Sequence, residues 1–301
     1  MEVSRRMFLK TLICGTAGLA AVGSSYFYLN NEKMNRAPER EGKILLDAHA
    51  HPADGKDVIK TLEMLCSPGI VGLTAVNNPG SHILTYEKVV SKFPTVTEID
   101  LGQLAKIESR FGTGYFMRTQ EFINGVHDIL AIGFEGDYMP NYDDPRKAIE
   151  EIHKRNGVAI LCHPGSVRVL EAKLVRFRVA QHGVEERYLR ELYEMADEVE
   201  VFNAQNINPT LGILVPNMKL ANDYAEGIID WYNETHTNQR KGIVSSDTHN
   251  SLDQPKICGI YLDKQDLCME KIKEDIKTGN FDNDFRKYVS RLSFIKGMFL
   301  K

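Results

Sequence analysis

The stretch Asp47-Ala48-His49-Ala50-His51 sets two imidazoles on alternate residues, after the apolar run Ile44–Leu46 and before a break at Pro52 and Gly55. In an extended chain residues i and i+2 project to one side, so His49 and His51 point together. Two convergent imidazoles joined by carboxylates bind a divalent cation. Similar side chains recur downstream: His163 ends VAILCH, Asn203 ends VEVFN, and Asp247 and His249 end GIVSSDTH. Other histidines, His82, His153, His182 and His236, fall in helical or loop contexts and are expected to be solvated.

Convergence requires a scaffold. Short apolar runs predict strands over Ile44–Asp47, Ile70–Val76, Gly114–Ile123, Asp128–Phe134, Val158–Leu161, Glu198–Phe202 and Gly242–Ser245. Helical patterns cover Lys56–Leu65, Asp144–Arg155, Glu185–Ala196, Met218–Asn233 and Lys264–Lys277. Strands alternating with helices imply parallel βαβ units, and near-continuous apolar strands imply cover on both faces. The count suits an α/β fold, a distorted (βα)7-type TIM-like barrel. In such barrels the C-terminal strand ends form one rim, where active sites sit. Four strand ends then deliver His49 and His51, His163, Asn203, and Asp247 with His249 to that rim.

This set of motifs resembles the PHP (polymerase and histidinol phosphatase) superfamily of metal-dependent phosphoesterases over roughly residues 44 to 255. Asp47-Ala48-His49-Ala50-His51 matches its Asp-x-His-x-His, and Asp54-Gly55 resembles the Ser-Asp-Gly that follows. His163-Pro164-Gly165, Glu200-Val201-Phe202-Asn203 and Ser246-Asp247-Thr248-His249 resemble later motifs in the family's order. The family's bridging glutamate corresponds to Glu121 or Glu135; Gly125 and His127, opening the next strand, favour Glu121. The family's Thr-Asp-His is replaced by Val76-Asn77-Asn78, which offers amides where imidazole is expected.

The resemblance implies two or three divalent ions (zinc, manganese or iron) and a phosphomonoester or phosphodiester hydrolysed through a metal-bound hydroxide. One ion falls to His49, His51, Glu121 and Asp247, a second to Glu121 and His163, and a third to Asp54 and His249. Asn203 completes the ligand set, Asp247 and His249 carry the chemistry, and Arg168 is a candidate phosphate clamp. Two alternatives stay open: an amidohydrolase-type metal hydrolase acting on an amide, lactone or ester, and a non-catalytic periplasmic binder, which Asn77 and Asn78 would suit.

The 301 residues are 43% hydrophobic and 26% charged, with a formal net charge of −4. That balance is ordinary for a globular chain and offers no basic surface for nucleic acid; the small phosphorylated substrate is the partner that the resemblance implies. Ser4-Arg5-Arg6-Met7-Phe8-Leu9-Lys10, followed by an apolar Gly/Ala stretch, reads as a twin-arginine signal. Residues 1–29 are accordingly expected to engage the folded-protein export machinery and touch the membrane only there. Residues 30–42 are expected to form a linker, and residues 43–301 a PHP-like domain in the periplasm or another extracytoplasmic space, anchored if the signal is not cleaved. Cys66, Cys162, Cys258 and Cys268 show no clustered spacing; Cys258 and Cys268 either pair or stay free.

Overall fold

The computed structural model describes residues 37–55, 57–76, 82–123, 127–164, 182–205, 219–249, 252 and 255–288. Arg5, Arg6, Asn77, Asn78, Gly125 and Arg168 lie outside these residues. The strands are β1 (Lys43–His51), β2 (Ile70–Val76), β3 (Val96–Asp100), β4 (Leu104–Ser109), β5 (Gly112–Phe122) and β6 (Ile129–Ile132). They continue with β7 (Val158–Leu161), β8 (Glu198–Asn203), β9 (Ile243–Ser245), β10 (Thr248–His249) and β11 (Ile260–Asp263). The helices are α1 (Val58–Leu65), α2 (Tyr86–Lys92), α3 (Pro145–Lys154), α4 (His182–Met195), α5 (Lys219–Thr235) and α6 (Met269–Thr278). Among the described residues, no helix is long and apolar enough to cross a membrane.

The hydrogen-bonded strand order is β10-β1-β2-β5-β6-β7-β8-β9. Its two ends belong to one segment of chain. β9 pairs with β8, and β10, after Ser246 and Asp247, pairs with β1. Between them the Asp247 N–H donates to the His49 carbonyl at 2.8 Å. Residues 243–249 thus bring the two ends of the sheet together in an α/β barrel arrangement, with no ladder pairing β9 directly to β1, and the kink between β9 and β10 lies at the rim.

One strand runs against the expected parallel pattern. β6 pairs antiparallel with both β5 and β7. Chain turning back after β5 therefore starts β6 at the rim, with Asp128, and finishes it at the opposite end, with Glu135. The β3–β4 ribbon, α2 and β11 were not expected from the pattern. β3 alternates half-buried with exposed positions, β4 is mostly buried or half-buried, and β11 lies antiparallel beside β1. The helix expected from Lys264 starts at Met269 and ends at Gly279, whose left-handed φ of +67° terminates it.

Packing follows strand alternation. On β6 and β7, Leu130, Ile132, Val158, Ile160 and Cys162 face one core, while Ala131, Ala159 and Leu161 face another. The first core continues to Met269, Ile272 and Ile276 of α6, at the end of the barrel away from the rim. The second packs against Ile149 and Ile152 of α3, Leu189 and Leu192 of α4, and Ile228 of α5. Each such side chain contributes about 1.5–3 kcal/mol by leaving water. Caps set two helix starts: Asp57 accepts from Lys60 N–H, and Asp144 accepts from Arg146 N–H ahead of Pro145. Gly72 allows close approach beside the β1 irregularity at Asp47–Ala50, since a Cβ there would lie 2.1 Å from the Ala48 carbonyl oxygen.

Glu198, at the start of β8, is buried and accepts from the N–H groups of Val199, Lys241 and Gly242. Burial raises its pKa from 4.5 to about 7 despite these donors. The folded state holds this proton more tightly than the unfolded chain. The group's stabilisation is therefore complete below the unfolded value of 4.5 and is lost as pH rises through about 7. Wild type is expected to lose on the order of 1 kcal/mol between about pH 6 and pH 8 relative to Glu198→Gln. Urea denaturation of both proteins at the two pH values measures this; parallel curves would contradict it.

Candidate metal centre

The rim collects His49 and His51 from β1, Glu121 from β5, His163 after β7, Glu200 and Asn203 from β8, and Asp247 between β9 and β10. His51 Nδ1 lies 3.0 Å from the Thr74 carbonyl oxygen. A carbonyl only accepts, so Nδ1 carries the proton and Nε2 presents its lone pair. His49 Nδ1 lies 3.2 Å from Glu200 Oε1, which fixes its ring in the same sense. The two Nε2 atoms consequently face one another at 3.0 Å.

Other acceptors surround that point. Glu121 Oε1 is 3.5 Å from His49 Nε2 and 3.4 Å from His163 Nε2, while Glu121 Oε2 is 3.2 Å from His51 Nε2. Asp247 Oδ1 is 3.4 Å from His49 Nε2 and 3.7 Å from His51 Nε2. It is buried with no hydrogen-bond partner among the described residues. Lone pairs and carboxylate oxygens crowded together, out of water, need a positive group between them. A divalent cation meets that need, so these residues fit a metal. Without one, protons substitute. Burial works to lower the His49 pKa, but Asp247 and Glu121 hold it well above the usual histidine value. His163 is likewise pushed up to about 10: burial opposes the rise, and the Glu121 hydrogen bond and Asp247 drive it. Glu121 lies well below the ordinary carboxylate range, since His49 and His163 outweigh its burial.

The backbone is bent to make this arrangement. His163 has φ +28° and Asp247 φ +45°, left-handed values unfavourable for residues with a Cβ. Such conformations cost roughly 1–3 kcal/mol each and persist only where surroundings enforce them. Here His163 N–H donates to Glu200 Oε2 at 2.9 Å, and Asp247 N–H donates to His49.

The candidate residues separate clearly. His49, His51, Glu121, His163 and Asp247 converge. Glu135, the alternative to Glu121, is exposed at the far end of β6, near Asn156 Nδ2 at 3.4 Å. Asp54 does not join the cluster; its carboxylate faces Lys88 at 3.3 Å and Lys92 at 3.6 Å on α2. Asn203, expected among the ligands, is used otherwise. Its Nδ2 donates to Glu200 Oε2 at 3.1 Å and Asp247 Oδ2 at 2.8 Å, and its Oδ1 accepts from Gln205 N–H. It aims carboxylates, and both ends of its amide are occupied. His249 sits at the open edge, its side chain half exposed, its ring 4.9 Å from that of His51 and its Nδ1 on the Asp247 carbonyl at 2.8 Å.

Three buried or half-buried residues were missed. Glu200 accepts from His49, from His163 N–H, from Asn203 and from the Ser245 hydroxyl, so it acts behind the ligands. A signal was available, because a carboxylate inside an apolar strand buried on both faces requires partners. Asp128, at the rim start of β6, lies with Glu121 and His163 in a group whose ligand atoms are within 4.8 Å of one another. Asp47 is also buried; its two oxygens accept from Ser246 N–H and Lys256 N–H, each at 2.8 Å, tying β1 to the chain around Asp247. All four described cysteines are free.

No family model matches the chain, and no curated protein matches it. Among solved structures, it is similar to the lesion-specific endonuclease PfuEndoQ from Pyrococcus furiosus, at 14% identity over 80% of this chain, with a TM-score of 0.46. It is also similar to a two-domain protein from Bacteroides vulgatus containing a predicted PHP-like metal-dependent phosphoesterase, at 14% identity over 82% of this chain, with a TM-score of 0.47. The chain spans 57% and 66% of those two structures' own lengths, less than two thirds of either.

Proposed function

We propose that the protein is a metal-dependent phosphoesterase whose centre holds two divalent ions. The observation that carries this reading is the convergence of acceptor atoms alone, two imidazole Nε2 and two carboxylates, around the unpartnered Asp247 Oδ1. His49, His51 and Asp247 would hold one ion, and His163 with Asp128 the other. Glu121 stands between them, with Oε1 toward His49 and His163 and Oε2 toward His51. Bound divalent ions supply Lewis-acid polarisation of a phosphoryl oxygen and a lowered pKa for water.

The chain's own side chains supply the rest. Glu200 and the Thr74 carbonyl fix the tautomers of His49 and His51, so both Nε2 atoms stay available. Asn203 keeps the Asp247 carboxylate turned inward. His249, with Nδ1–H donated to the Asp247 carbonyl, leaves the Nε2 lone pair at the open edge to take a proton from water and return it to the departing oxygen. Arg168 is assigned the clamp on the remaining phosphate oxygens. A panel of generic phosphomonoesters and phosphodiesters, tested with metal-loaded and chelated protein, checks the reading. Turnover that depends on metal and falls in His249→Ala supports it; no turnover of any phosphoester by metal-loaded protein contradicts it.

We also propose export in the folded state, on the strength of Arg5 and Arg6. Changing both to lysine is expected to leave the protein in the cytoplasm, as read by cell fractionation. Unchanged arrival in the periplasm would contradict the motif's role.

A further inference from the structure

Cys162 has no part in the reading above, yet it lies directly beneath the centre. It directly follows β7, continues that strand's inward row Val158 and Ile160, and is 1% exposed. Its sulfur, a nitrogen of His49 and an oxygen of Glu121 lie within 4.8 Å of one another. The contact of Cys162 Sγ with the Ile160 carbonyl is long, at 3.8 Å. A second observation points to a ligand on the same imidazole, His49. Asp247 Oδ1, buried without a partner, reaches the cluster through His49 Nε2 at 3.4 Å.

We propose that Cys162 is a thiolate ligand of the ion shared by His49 and Glu121, and that the centre therefore selects a thiophilic ion, zinc or ferrous iron, over manganese or magnesium. The proposal rests on the metal-centre part of the phosphoesterase reading. Thiolate favours zinc and iron, whereas a site of carboxylates and imidazoles alone accepts manganese more readily. On binding, the S–H bond breaks, its proton passes to solvent and a sulfur lone pair forms the bond to the ion. No electron is transferred, so no oxidant or reductant is needed.

Cobalt(II) is the probe. Wild-type protein loaded with cobalt is expected to show a near-ultraviolet thiolate-to-cobalt charge-transfer band, lost in Cys162→Ser and kept in Cys66→Ser. Cys66 belongs to the outer core beside α1 and is the control. In competitive dialysis against zinc and manganese, Cys162→Ser is expected to shift the bound ratio toward manganese by at least ~10-fold. The wild-type spectrum decides the matter even if Cys162→Ser fails to fold. Stoichiometric cobalt without the band overturns this proposal and leaves the metal centre intact. Persistence of the band in Cys162→Ser overturns it as well. Failure to bind cobalt at all overturns both this proposal and the centre.

Discussion

Glu121→Gln is expected to lose one of the two ions and nearly all phosphoester turnover, while Glu135→Gln keeps both. The Glu121 carboxylate lies among three imidazoles, at 3.5, 3.2 and 3.4 Å from His49, His51 and His163. Two cations held on either side of it would repel strongly once its charge is removed. The loss should exceed the ~10–100-fold typical when a group behind a ligand is removed. Glu200→Gln, which disturbs the orientation of His49 without removing a ligand, should fall within that smaller range. Glu135 is exposed at the opposite end of the barrel, so its charge has nothing to compensate. Metal content and turnover of the three variants measure the effect. An inactive, metal-depleted Glu135→Gln beside a normal Glu121→Gln would require the bridging position to be reassigned.

Metal affinity is expected to rise steeply with pH. In the metal-free protein burial tends to lower the pKa values of both His49 and His163, but neighbouring carboxylates hold them above the ordinary value, His163 at about 10. Both rings are then imidazolium at neutral pH, and an ion must displace both protons. Below the raised values, release of these two protons alone should raise apparent affinity by ~100-fold per pH unit. Calorimetric titration with zinc at about pH 7, in two buffers of different ionisation enthalpy, counts the protons released. Two from the imidazoliums, with a third from the Cys162 thiol where it ligates, is the expected result; one or none would show that these imidazoles are not ligands.

Much of this site was legible because strand geometry is simple. Alternation in β1 places His49 and His51 on one side, and their rings lie 4.9 Å apart. Strand ends at Leu161 and Ser245 bring His163 and Asp247 to the same rim. Hydrogen bonding, by contrast, was not legible. Asn203 looks like a ligand in sequence, and only its contacts with Glu200 and Asp247 reveal that it aims carboxylates. Glu200 stood in a quoted motif without a role, because nothing local shows that His49, 151 positions away, needs a partner for Nδ1. The short connection after β5 was legible as a hairpin, and the antiparallel run of β6 against β5 separates Glu121 from Glu135. The β3–β4 ribbon was not legible because no residue of β3 is fully buried and its apolar signal is diluted.

Elemental analysis of untagged protein, reconstituted with zinc, manganese or iron and freed of excess ion, shows whether this rim is a metal centre. About two ions per chain are expected, falling to about one in Glu121→Gln; less than about one ion per chain in wild type would contradict the metal centre, given the tight binding expected of such clusters.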